Sequence, residues 1–254
     1  MALVGCGGFA QAHWQGNQEI ATRVDVTAAV DKDVDAATAM AQLTGAEAFF
    51  DLEEALKNGD FEAVDIMLPH NLHESAALAC FSAGKHVLLE KPMAHSLEIA
   101  ERILQASQKV TTTFMIAEQA QYWTDVIKAR ELMDAGAIGE VISASGNFYD
   151  RVVIDPDAPP PWRYSLAISG GGVTMDGGAH WIRPLRMMMG EVDEVIGVAG
   201  RHVPRMESES WSRMLMKFEN GTVGVLTCQN VMHASGPTDM FRITGSEGEL
   251  QITG

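Results

Sequence analysis

The feature that most constrains this chain lies at its start. Ala2-Leu3-Val4 runs straight into Gly5-Cys6-Gly7-Gly8-Phe9-Ala10, and a helical stretch follows. A strand, a G-x-G-x-x-A turn and a helix in that order fit a dinucleotide-binding corner. The first glycine permits the tight turn, the second lets the backbone approach a pyrophosphate, and the small Ala10 lets helix and strand pack closely. The helix N-terminus offers N–H groups and a positive dipole end to the phosphates. Taken alone the glycines fit any turn; context raises them. Asp31 ends a second strand, Val24–Val30, where an acid would bind a ribose 2′-hydroxyl. Asp31 opposes a 2′-phosphate and favours NAD, while Lys32 beside it keeps NADP open.

The first half alternates short apolar runs with helical patterns, the signature of a parallel sheet with crossover helices. Val64–Leu68, His86–Leu89 and Thr112–Ile116 supply further strands. Asp51 caps a helix with Glu54 three residues on, Ser96 caps Leu97–Gln108, and Leu72–Ala83 stops at Gly84. After about residue 120 the pattern changes. A helix over Thr124–Ala135 ends at Gly136, strand-like Val141–Phe148 follows, and the prolines of Asp155–Trp162 exclude a regular element there. Gly170-Gly171-Gly172 opens a helical pattern reaching Met189. Arg213–Phe218 and Val223–Thr227 flank the hairpin turn Asn220-Gly221. The fold expected is α/β: an N-terminal Rossmann domain over residues 1–120, then an α+β domain with an open, mainly antiparallel sheet over 121–254. Both edges are abrupt, which predicts a shortened second domain.

Composition narrows the function classes. Acidic residues outnumber basic ones 34 to 18, for a formal charge of -16, which repels nucleic-acid backbones. No apolar run approaches a membrane span and no secretory leader is visible at the N-terminus. Cys6, Cys80 and Cys228 are widely spaced, which predicts free thiols and a cytoplasmic setting, with no metal centre.

Three segments carry candidate chemistry. Glu90-Lys91-Pro92 ends a strand at the carboxyl edge, where open α/β sheets place ligands. A lysine there supplies a proton or stabilises an alkoxide; the plainer alternative is a surface lysine paired with Glu90. Asp176 and His180 are four apart on one expected helix and so share a face, as a proton-accepting imidazole with an orienting carboxylate or as a structural pair. Leu68-Pro69-His70-Asn71-Leu72-His73 also lies at the ligand edge, with His73 alternatively a plain helix-start residue. His13, His86, His95, His202 and His233 show no metal-like spacing and are read as solvated or core.

In this order the pieces GCGGFA, LPHNLH, EKP and WR…GGGVTMDGGAH resemble the glucose–fructose oxidoreductase/inositol dehydrogenase (Gfo/Idh/MocA) family over nearly the whole chain. The resemblance implies an NAD(P)-dependent oxidoreductase moving a hydride between nicotinamide and a secondary alcohol or carbonyl of a sugar, inositol or related polyol. It implies a homo-oligomer through the C-terminal sheet. Lys91 matches the catalytic lysine of the family, and Asp176 and His180 the acid and histidine that complete its site. Leu68, Pro69, Asn71 and His73 match the segment near the nicotinamide ribose. Glu90 lies beside the cofactor, and Trp162 and Arg163 match a loop bordering substrate. Two departures stand out: Arg183 replaces an aspartate usual three residues after the histidine, and Glu118-Gln119 replaces an Asn/Arg pair. Two other readings of the fold stay open, an NAD-retaining glycoside hydrolase and a non-catalytic NAD-binding regulator.

Overall fold

Apolar strands of three to five residues cannot alternate a wet and a dry face; they are built to be covered on both sides. In the computed structural model, which describes residues 1–254, such strands form the first of two units, Met1–Ala117. The elements are β1 (Ala2–Val4), α1 (Gly8–Glu19), β2 (Ala28–Val30), α2 (Val34–Thr44), β3 (Glu47–Phe49) and α3 (Leu52–Asn58). They continue with β4 (Ala63–Ile66), α4 (His73–Ser82), β5 (His86–Glu90), α5 (Leu97–Ser107) and β6 (Phe114–Ala117). All six strands are parallel in the order β3-β2-β1-β4-β5-β6, the Rossmann arrangement. One face packs Val4, Ile66 and Leu89 against Phe81 and Ile103; the other packs Leu3 and Ala29 against Ala10 and Met40.

The local signals hold. The Asp51 carboxylate accepts the Glu54 N–H at 3.0 Å, and Ser96 Oγ accepts from Ile99 N–H. Two expectations need correction. The second strand is only Ala28–Val30, because Val24–Thr27 makes only scattered backbone bonds, among them Thr27 N–H to the Met1 carbonyl and Glu47 N–H to the Thr27 carbonyl. The edge strand β3 is absent from the sequence reading: Glu47-Ala48-Phe49 is short and carries no β-branched residue.

The second unit, Glu118–Gly254, holds α6 (Thr124–Asp134), β7 (Val141–Arg151), α7 (Leu166–Ser169), α8 (Val173–Asp176) and α9 (Ala179–Met189). Then come β8 (Val192–Gly200), β9 (Trp211–Phe218), β10 (Val223–Val231), β11 (Asp239–Gly245) and β12 (Glu249–Thr253). Its six-stranded sheet runs β12-β11-β7-β10-β9-β8, antiparallel except for the parallel pair β7–β10. Its core lies between that sheet and the helices, where the Trp181 ring meets Phe148 and Phe241 at centroid distances of 4.7 and 5.8 Å.

The expected single helix over Gly170–Met189 is two, α8 and α9. The Gly178 N–H reaches back five residues to the Val173 carbonyl, while His180 and Trp181 bond only three back, to Gly177 and Gly178. The ladder slips register between α8 and α9. The run is closely packed: a Cβ at Gly177 would overlap the Phe148 ring, and one at Gly172 would overlap the Glu209 carbonyl. Glycine is therefore required where this helical run lies against its neighbours.

Candidate functional site

In the first unit the corner is built as its glycines dictate. Gly5 has φ +94°, and a Cβ there would lie 2.6 Å from the Met67 carbonyl oxygen. Gly7, Gly8 and Phe9 are exposed, nothing lies within 4 Å of where Gly7 or Gly8 would carry a Cβ, and Ala10 is wholly buried. α1 opens with no side-chain cap and no acidic residue in its first turn, so no side chain of the helix start neutralises its dipole end. Asp31 is held at the end of β2 by the Cys6 N–H at 2.8 Å and the Asp33 N–H at 2.9 Å, with Lys32 exposed beside it. These residues fit a dinucleotide pyrophosphate and ribose. Burial pushes the Cys6 thiol up to about 12, so it is an inert part of the turn.

The strand ends beside this corner carry a charge cluster that sequence reasoning missed. His13, one turn into α1, meets Asp65 of β4 through Nδ1 at 2.7 Å and Glu90 of β5 through Nε2 at 2.9 Å. Burial alone would lower its pKa, but the two carboxylates outweigh burial and raise it to about 10. His13 is an imidazolium donating from both nitrogens, not the solvated or core histidine expected. Burial raises the Asp65 carboxyl, with His13 opposing. The available signal was Asp65 itself, a charge inside the apolar run Val64–Leu68. The other oxygen of Glu90 accepts the backbone N–H of Lys91 at 3.0 Å, so the cluster fixes the backbone that presents Lys91. Lys91 is 9% exposed and precedes a cis bond to Pro92.

Leu68, Pro69 and Asn71 lie on the loop after β4, with Asn71 exposed. His73 differs from expectation. It is wholly buried, with Nδ1 3.0 Å from the Pro92 carbonyl and Nε2 2.9 Å from that of Leu68. Burial lowers its pKa. Its ring ties two strand-end loops together.

The second unit also corrects the expected pair. Because of the register slip, Asp176 and His180 do not act on one another. His180 Nδ1 lies 2.7 Å from Glu118 Oε1, an oxygen that also accepts the Ala120 N–H. A carboxylate only accepts, so Nδ1 carries the proton and Nε2 is the bare, basic nitrogen of the neutral ring. Asp176 instead accepts from Arg163 Nε at 3.1 Å, and that guanidinium lies 4.3 Å from the Trp162 ring centroid. The departures from the family pattern have a local logic. Glu118 supplies the carboxylate to the histidine, and Arg183 binds Gln121 at 2.9 Å. Beside Asp176 and Arg163 a cavity of about 260 Å³ opens, lined also by Asp150, Tyr164 and Asn230.

A glycine-cornered Rossmann unit followed by an α+β unit with a carboxylate-held histidine is the architecture of a dinucleotide-binding oxidoreductase. Residues 1–118 match the model of an oxidoreductase family with an NAD-binding Rossmann fold, and residues 126–251 match the GFO/IDH/MocA C-terminal domain. The chain is 32% identical to a 4-carboxy-2-hydroxymuconate-6-semialdehyde dehydrogenase of a Sphingobium species, covering 100% of this chain and 83% of that one. It is 26% identical to a levoglucosan dehydrogenase of Pseudarthrobacter phenanthrenivorans over 79% of this chain, of which it spans 57%. A levoglucosan dehydrogenase solved with NADH and levoglucosan superposes with a TM-score of 0.89, at 25% identity, over 99% of this chain and 72% of that one. The chain belongs to the Gfo/Idh/MocA family, and its first unit is an NAD-binding Rossmann domain.

Proposed function

We propose that this protein is an NAD-dependent dehydrogenase acting on a secondary alcohol of a sugar, inositol or related polyol, or reducing the matching carbonyl. The observation that carries the reading is the His180–Glu118 bond, which leaves the imidazole a proton acceptor of fixed tautomer. Gly5, Gly7 and Asp31 would hold the dinucleotide, whose nicotinamide would supply a hydride acceptor for the carbinol carbon. The hydroxyl proton passes to His180 Nε2 as the carbon–oxygen bond becomes a carbonyl. Lys91 supplies positive charge to the developing alkoxide, and its backbone is pinned by Glu90. Asp176 serves by holding Arg163, which with Trp162 borders the substrate. Asp31 favours NAD over NADP, since a 2′-phosphate would meet its carboxylate. The relatives' named substrates differ from one another, so none of them is carried over to this chain.

The test is nicotinamide absorbance with NAD or NADP and a panel of sugars and inositols. Reduction by one substrate, lost in Lys91→Ala with NAD affinity retained, is the expected result. Equal turnover in that variant overturns the role of the lysine. Sugar release from an aryl glycoside without net reduction would favour the hydrolase reading instead.

A second proposal concerns assembly. Ile196, Leu215 and Val225 are register partners across β8, β9 and β10, exposed by 74%, 49% and 43% on one sheet face. A contiguous apolar stripe of this kind favours self-association through the sheet. Sedimentation should give more than one copy, and Leu215→Asp should shift the protein toward monomer. No helix is long and apolar enough to cross a membrane; a cytoplasmic setting is favoured by three free thiols.

A further inference from the structure

The cavity of the second unit has a charge pattern that narrows the substrate. Asp150, near the end of β7, and Asp176, at the end of α8, both line it, and Arg163 is its one basic lining residue. Arg163 donates to Asp176, so its charge is already shared with an acid. The lining therefore holds two carboxylates against one guanidinium. Asn230, 5% exposed, donates weakly to Asp150 at 3.4 Å, and its Oδ1 is buried with no hydrogen-bond partner. An orphaned acceptor of this kind asks for a donor from whatever enters the cavity.

We propose that this cavity selects uncharged, polyhydroxylated rings over their carboxylate-bearing counterparts, with Asp150 as the selecting residue. The proposal rests on the polyol reading above and gives it a substrate class. A ring hydroxyl can donate to Asp150 and to Asn230 Oδ1 while accepting from Arg163 or the Tyr164 hydroxyl. A carboxylate can donate to none of these acceptors and brings a third negative charge into a half-enclosed space. Asp150 already feels this: burial raises its pKa and Asp176 raises it further, against a bond from the Arg151 N–H. Burial and Asp150 likewise raise the Tyr164 hydroxyl, which keeps it protonated.

The matched probes are glucose and glucuronate, and xylose as a smaller neutral ring. Binding to the full chain with saturating NAD is read by ligand-observed saturation-transfer NMR, and turnover is read in parallel. Glucose should bind at least about tenfold more tightly than glucuronate at low salt. The gap should narrow in about 0.5 M salt, because screening weakens the repulsion of the acid. Asp150→Asn should narrow it further, chiefly by improving glucuronate. The salt series needs no variant, so it stands even if Asp150→Asn fails to fold. Glucuronate binding as well as glucose, a gap unchanged in Asp150→Asn, or binding of none of the three overturns the proposal. Discrimination in binding with no NADH formed would leave the selectivity standing and remove the dehydrogenase reading.

Discussion

His13 and His180 are each bonded to a carboxylate, and the difference between them shows how this protein assigns roles to one side chain. In the first unit both ring nitrogens of His13 are taken, by Asp65 and Glu90, and the imidazole is kept charged. It has no lone pair to accept a substrate proton. In the second unit a single carboxylate holds one nitrogen of His180 and leaves the other basic. Two acids make a histidine a structural cation; one acid makes it a directed base. The first arrangement serves a neighbour, since the other oxygen of Glu90 accepts the Lys91 backbone N–H.

The largest effect that would sharpen this contrast comes from His180. His180→Ala should lower kcat by about 10³-fold, within the range for loss of a general base, with the NAD Kd unchanged. Loss below about tenfold would break the assignment. Glu118→Gln keeps the shape of the site but can donate to Nδ1 and so favour the other tautomer. Its expected cost is about 10- to 100-fold in kcat.

His13→Ala acts chiefly on stability. It leaves two carboxylates facing each other in a buried site, a loss of about 3 kcal/mol. The raised pKa fixes the sign of its pH dependence. His13 stabilises the fold fully below the ordinary histidine range, and that contribution is lost as pH rises toward about 10. Urea unfolding of wild type and variant should therefore converge at alkaline pH. A gap that widens there would contradict the imidazolium reading. The smallest effect concerns Asp31: Asp31→Ala should narrow the preference for NAD over NADP by about tenfold, read as a ratio of Kd values.

What could be read from the sequence divides along the range of the interactions. The left-handed φ of Gly5 is a local demand, and Asp51 and Ser96 accept from backbone three residues on, so spacing alone placed the corner and the caps. The Gfo/Idh/MocA motifs brought Lys91 and His180 forward for the same reason, being short strings. The pairings that set their chemistry are long-range. Glu118 and His180 are 62 residues apart, and His13 is 52 from Asp65 and 77 from Glu90. A four-residue spacing suggested Asp176 as the partner of His180, but that inference needs an unbroken helix. The ladder slips register between them at Gly177 and Gly178. The strand β8 was missed because most of it is exposed on both faces and shows no alternation.

The most direct test is the protonation of the two rings, by long-range ¹⁵N–¹H NMR on histidine-labelled protein, with His13→Ala and His180→Ala for assignment. At about pH 8.5, above the ordinary histidine range, His13 should carry protons on both nitrogens and His180 on Nδ1 alone. A neutral His13, or a His180 with its proton on Nε2, would contradict the division of roles on which the proposed mechanism stands.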